Sequence, residues 1–198
     1  MNQAAVALDG TGTPEASGRF RVPLLHELVE SLDAARRHVW ADLGRVNAGL
    51  VERLQPGRSR IDVLALQDDV ASADRPLRLP RDGSAPDYEV LLCWDLPNYM
   101  DADALASLAD FARRHCAPGC AVHALVHYSE ATMPEQPADF LFLPPDGLEA
   151  RERSSTRVQA PRPSPKALEK SLPGLVVDET RLLNNGMQEF VLRPAVGT

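Results

Sequence analysis

The stretch HVWADLGRVNAGL, residues 38–50, joins an acid to a glycine turn. His38 to Leu43 reads as a short strand, and Val46, Leu50, Val51 and Leu54 as one face of the helix that follows. At the C-terminal end of a parallel strand, such a turn presents backbone to a ligand laid across the sheet. Glycine serves there because it has no Cβ to hold the ligand away. The alternate positions are Asp42, Gly44, Val46 and Ala48, so a branched side chain stands where close approach is wanted. Gly49 offers a substitute if the turn is one residue longer, with Arg45 and Asn47 facing the ligand. Asp68, Asp69 and Asp95 end further strands, and His127 with Tyr128 ends another. Each has an ordinary role open to it as well. Asp42 can bond its own turn, Asp68, Asp69 and Asp95 can cap short helices, and His127 and Tyr128 can pack at the sheet's rim.

The string HCAPGCAVH, from His115 to His123, carries the ligand types zinc prefers. Its spacing spreads Cys116, Cys120 and His123 over a helix end and a strand, which does not converge on a tetrahedron. With Cys93 in a buried strand, reduced core cysteines are the simpler reading, and no metal is expected. There is no GxSxG, HExxH or Walker loop, and His26, His38, His115, His123 and His127 are scattered.

The elements that must hold these residues alternate. An amphipathic helix starts at Pro23, with Leu24, Leu25, Leu28, Val29 and Leu32 at helical spacing. Strands are expected near residues 38–43, 61–66, 88–94 and 121–128. The run YEVLLCWD is nearly all apolar, as a central parallel strand covered on both faces should be. Leu105, Leu108, Phe111 and Ala112 mark a helix that stops at Pro118-Gly119, and PKALEKSL a short one with Pro165 at its start. Residues 129–165 are rich in Pro, Glu and Arg and lack a period, as a ligand-facing insertion would. Asn184-Asn185-Gly186 joins two strands of a hairpin near residues 174–192. This order implies an α/β fold with a mostly parallel sheet and a C-terminal antiparallel hairpin. Residues 1–20 are expected to be a disordered tail and residues 21–198 a single domain.

The chain has 198 residues, 44% of them hydrophobic, and a formal charge of -7. That balance argues against nucleic acid or an anionic membrane as partner, although Arg151, Arg153, Arg157 and Arg162 form a local basic run. No apolar run is long enough to span a bilayer and the first residues do not resemble a secretion signal, so a cytoplasmic location is expected. Lysine occurs only at Lys166 and Lys170, a bias consistent with a GC-rich bacterial origin.

Taken in order, ADLGRVNAG, LPRDGSAPDYEVLLCWDLPNYMD, PGC before a strand, LEKSLPGL and the terminal hairpin resemble a class I S-adenosylmethionine-dependent methyltransferase over most of residues 23–194. The resemblance implies a three-layer Rossmann-like fold and S-adenosylmethionine as cofactor. It implies that Asp42, Gly44, Ala48, Asp68 (or Asp69) and Asp95 bind that cofactor, the acid after the second strand gripping the ribose. His127 and Tyr128 become the candidates to orient or deprotonate a methyl acceptor. Two departures stand out. Val46 replaces a glycine, and between Asp69 and Tyr88 there is room for barely one helical turn and a very short strand, so the sheet is expected to be shortened between its second and central strands. DLPNY, residues 95–99, is a residue too long for the acid-proline-proline-aromatic motif of amino-group methyltransferases, with Asn98 at the second proline. The expectation is a methyltransferase-like protein with weak or lost cofactor binding, left as a scaffold for protein contact or regulation. The alternative is an active enzyme acting on a small molecule or a protein side chain.

Overall fold

The computed structural model describes residues 17–33, 35–54, 59–70, 79 and 87–195. At its centre is a six-stranded sheet. Four parallel strands, β2 (His38–Asp42), β3 (Ser59–Val63), β4 (Tyr88–Trp94) and β5 (Cys116–His127), continue into an antiparallel hairpin, β10 (Leu175–Leu182) and β11 (Met187–Pro194). The spatial order is β10-β11-β5-β4-β2-β3. The turn expected at Asn184-Asn185-Gly186 closes the hairpin, with Gly186 at φ +82 where a side chain would be strained.

Strand alternation sets the two faces of the core. Leu91 and Cys93 of β4, with Val122, Ala124 and Val126 of β5, face α4 (Ala102–His115) and α5 (Pro165–Ser171). Val90, Leu92 and Trp94 of β4, with Ala121 and Leu125 of β5, face the opposite layer, which contains α1 (Pro23–Glu30) and α2 (Ala48–Arg53). The central strands are therefore covered on both sides, which their apolar composition requires. Each large side chain buried this way contributes about 1.5–3 kcal/mol. Helix α4 begins where Asp101 accepts the Ala104 N–H at 2.8 Å and has Arg113, Arg114 and His115 in its last turn, where cations suit the helix dipole. Helix α1 has no cap of its own. The buried Glu189 of β11 supplies one, accepting Leu24 N–H at 3.0 Å and Leu25 N–H at 2.8 Å, while His123 of β5 lies 2.8 Å from the same carboxylate.

Several boundaries differ from the sequence expectation. Strand β5 starts at Cys116, ahead of Pro118-Gly119, with an irregular register against β4 that accommodates the early residues. The segment expected as an aperiodic insertion contains β6 (Thr132–Pro134), β7 (Asp139–Leu143), β8 (Gly147–Arg151) and β9 (Arg157–Gln159). Strands β7 and β8 form a separate three-stranded antiparallel sheet with β1 (Ser17–Arg21), in the order β1-β8-β7. Strand β1 thus reaches into the stretch expected to be a tail, because Phe20 buries against Phe142 and Leu148. The helix α3 (Gln67–Val70) follows β3. Most of the segment expected to be shortened, residues 71–78 and 80–86, lies outside the described residues, as do residues 1–16.

Candidate functional site

The strand β2 delivers Asp42 to the turn, and its carboxylate is buried. Oδ1 accepts the Gly44 N–H at 2.8 Å and the Trp94 Nε1–H at 2.6 Å. Burial pushes the Asp42 carboxyl up to about 6, the two hydrogen bonds from Trp94 and Gly44 opposing it. Trp94 ends β4 with φ +51, a left-handed conformation that is uncommon for a bulky residue. That geometry lays its indole on Gly44. A Cβ added at Gly44 would stand 2.5 Å from Trp94 Cδ1 and 2.7 Å from Nε1. The glycine is thus required by the indole that covers it. Trp94 also stacks on Phe140 of β7, ring centres 5.4 Å apart and planes 16° from parallel.

The small sheet also closes on the turn. Asn47 caps α2, its Oδ1 accepting the Leu50 N–H at 3.1 Å and also the Phe142 N–H at 3.0 Å, while its Nδ2 donates to the Phe140 carbonyl at 3.1 Å. A Cβ at Gly49 would overlap the Phe142 carbonyl oxygen. Asn47, expected to face a ligand in a turn one residue longer, and Gly49, the substitute glycine of that turn, therefore hold β7 instead. Val46, expected to crowd the turn, is 72% exposed and points to solvent, and Ala48 is exposed too.

The remaining acids separate. Asp68 lies in α3 with Arg153 at 2.9 Å and Arg45 at 3.1 Å, and hydrogen bonds from these two hold its carboxyl below the ordinary range. Arg45 also approaches Asp139 at 3.5 Å. Asp69 is half-buried beside it. Asp95 is buried at the end of β4, with Oδ2 accepting the Ala138 N–H at 2.9 Å and Oδ1 without a partner among the described residues. Burial pushes this carboxyl up to about 7, hydrogen bonding by the Ala138 N–H and by its own backbone N–H opposing it and the charge of Asp139 adding to it. Asn98 fastens Asp95 to β5. Its Nδ2 donates to the Asp95 and Leu125 carbonyls at 2.7 and 2.9 Å, and its Oδ1 accepts the His127 N–H at 2.9 Å.

Asp95 and His127 line a cavity of about 210 Å³ with Phe20, Phe140 and Met187. Burial, aided by the charge of Arg157, lowers the His127 pKa. Tyr128 is 42% exposed and, unlike His127, does not line this cavity. A larger cavity, about 490 Å³, lies at the opposite ends of the strands. Several of its charged groups are paired: His38 Nδ1 with Glu89 at 2.9 Å, Arg36 with the same carboxylate, and Arg193 with Asp178 at 2.6 Å.

The cysteine and histidine string is dispersed as well. His115 is buried at the end of α4, His123 is bonded to Glu189, and among the described residues no group of three or more His, Cys, Asp or Glu is placed to hold a metal ion. The basic run of Arg151, Arg153 and Arg157 is paired with Glu149, Asp68, and Glu130 and Glu152. Arg162 donates to the Tyr128 carbonyl. No described helix is long and apolar enough to cross a membrane.

Sequence reasoning missed Trp94, Phe140 and Asn47 as the residues that fill the turn. The one signal available was a large aromatic at the C-terminal end of the central strand, where a ligand-binding sheet needs space.

No protein-family model matches the chain, and no curated protein matches it at a significant level. Solved structures do. A protein of Sulfolobus solfataricus described as a type 11 methyltransferase aligns with TM-score 0.52 at 14% identity, over 89% of this chain and 94% of that one. An S-adenosylmethionine-dependent methyltransferase from Clostridium acetobutylicum aligns with TM-score 0.49 at 13% identity, over 87% and 89%. The N-methyltransferase NodS from Bradyrhizobium japonicum, solved with S-adenosylhomocysteine, aligns with TM-score 0.48 at 12% identity, over 88% and 87%. With the parallel strands and terminal hairpin in place, the chain has the fold of the class I S-adenosylmethionine-dependent methyltransferases.

Proposed function

We propose that this is a methyltransferase-like protein in which binding of S-adenosylmethionine is weak or lost, leaving a scaffold for protein contact or regulation. The observation that carries the reading is Trp94, whose indole covers Gly44 and donates to the Asp42 carboxylate. The residues present do not fit the donor that the fold family implies. The turn's glycine is covered, its acid is buried and bonded, Asn47 and Gly49 are engaged by β7, and Asp68 is held by two arginines. A ligand reaching Gly44 and Asp42 would have to displace the Trp94 indole and break its bond to Asp42. At about 1.4 kcal/mol per tenfold in affinity, a cost of a few kcal/mol moves a micromolar site to the millimolar range.

The alternative, an active methyltransferase for a small molecule or a protein side chain, is favoured by one observation: the cavity beside Asp95 and His127 lies at the C-terminal ends of the strands, where open α/β sheets bind ligands. Calorimetric titration of S-adenosylmethionine and S-adenosylhomocysteine separates the two. Weak or absent heat supports the scaffold, and low-micromolar binding supports the enzyme.

A further inference from the structure

We infer that the outer edge of β10 is an interface between two copies of this chain, joined antiparallel about Thr180 so that Glu179 of each copy faces Arg181 of the other. The inference is independent of the cofactor turn. Strand β10 is at the edge of the large sheet, with β11, β5 and β4 between it and β2.

Backbone direction decides which groups are free. The Leu183 N–H donates to the Met187 carbonyl at 2.8 Å, and the same register sets Arg181 opposite Glu189 and Glu179 opposite Val191. Residues of an antiparallel ladder alternate between facing the neighbouring strand and facing away from it. Arg181 and Glu179 therefore bond β11, while the N–H and C=O of Thr180 and Leu182 point outward. Such a row is a template for another strand. Toward the start of β10 the edge is closed, because the Val177 N–H donates to Glu169 of α5 at 2.7 Å and the register slips between Val177 and Glu179. The open stretch is short and centred on Thr180.

Charge selects a second copy as the occupant. Glu179-Thr180-Arg181 carries opposite charges on either side of a single residue, so the stretch is complementary to itself when reversed. Antiparallel pairing about Thr180 sets Glu179 opposite Arg181 on both sides of a two-fold axis. Cross-strand pairs of opposite charge, and of threonine with threonine, both favour a sheet. Pairing about Arg181 would instead set two guanidinium groups face to face, and pairing about Leu182 would leave Glu179 and Arg181 opposite no charge. Within one chain these two side chains come only to 3.9 Å, with exposures of 48% and 56%, so each can take a partner from the other copy. Leu182 is 63% exposed. The Thr180 register lays it beside residues 177 and 178 of the second copy, which removes an apolar side chain from water.

The test is sedimentation velocity of the full chain between about 1 and about 500 µM, because a short edge gives a dimer that dissociates on dilution. Dimer is expected at the upper end, with hydrogen exchange at Thr180 and Leu182 slower there than in dilute protein. Arg181→Glu makes the edge acidic and Glu179→Arg makes it basic, and each should weaken self-association at least about tenfold. An equimolar mixture of the two variants should pair again, to within about threefold of the unaltered chain, because an acidic edge then meets a basic one. A chain that stays monomeric at about 500 µM, a dimer undisturbed by either reversal, or a mixture that associates no better than its parts would each overturn the assignment. If a variant does not fold, exchange in the unaltered chain decides, and rates at Thr180 and Leu182 that ignore concentration overturn it. S-adenosylmethionine titration reports on the preceding reading, so the two can fail separately.

Discussion

The Trp94 indole donates to Asp42 Oδ1 across 2.6 Å, and the same indole lies on Gly44. This places the acid and the glycine of a cofactor turn under one side chain. The bond should be measurable as stability. Trp94→Phe keeps a ring for the Phe140 stack but leaves Asp42 with only the Gly44 N–H. A buried acceptor that loses a donor costs about 1–3 kcal/mol, and urea denaturation of the variant near neutral pH should show a loss in that range. No loss would mean that the indole is not bonded to Asp42 in solution.

The contact between α2 and β7 predicts a graded response to added methyl groups. Gly49→Ala drives a Cβ into the Phe142 carbonyl oxygen, whereas Gly18→Ala in β1 meets nothing within 4 Å. Overpacking of this kind costs roughly 1–3 kcal/mol. Thermal melts should therefore place Gly49→Ala well below Gly18→Ala. Equal melting temperatures would mean that β7 does not sit on the helix start.

Asp42 and Asp95 make stability depend on pH. Burial raises their carboxyls from the ordinary value of 3.8 to about 6 and about 7. A folded pKa above the unfolded one means that the native state holds more protons between those values, so stability falls as pH rises through this window. The favourable contribution is complete below about pH 4 and gone above about 7. Asp68 and Asp110, held low by arginines, act with the opposite sign, so the comparison must be between variants. Asp95→Asn should melt above the unaltered protein at about pH 8 and converge with it toward about pH 5. Parallel melting curves across that range would contradict the burial of the Asp95 carboxyl.

The buried cap on α1 predicts a further loss. Glu189 accepts Leu24 and Leu25 N–H groups and faces His123, with no exposure to solvent. Glu189→Gln retains the shape and loses a charged acceptor, for which about 1.5–3 kcal/mol is the usual scale. Hydrogen exchange should speed at Leu24 and Leu25 before it does in β4.

How far all this could be read in advance follows from distance along the chain. The central strand was legible because YEVLLCW is apolar on both faces, and the hairpin because Asn-Asn-Gly demands a left-handed turn that Gly186 supplies at φ +82. Helix α1 was legible from its periodicity, but its cap was not, since Glu189 lies more than a hundred and sixty positions away. The small sheet was hidden for the same reason: Ser17 pairs with Arg151, and neither segment carries a period of its own. At the site, Asp42, Gly44 and Asp95 were picked out by position, and their burial was not. What covers them is Trp94, whose side-chain direction depends on a left-handed backbone angle at a strand end, and Phe140, which arrives from a segment with no local signal. Val46 drew attention as a misfit, yet it faces solvent. Val46→Gly is accordingly expected to leave cofactor affinity unchanged.

The central claim is that the chain's own residues occupy the cofactor turn, and direct calorimetric titration of the full chain with S-adenosylmethionine and S-adenosylhomocysteine tests it. The account predicts a dissociation constant of about 1 mM or weaker for both. A low-micromolar constant, about 8 kcal/mol of binding free energy, would contradict it and would require the Trp94 indole to leave Gly44 when the ligand binds.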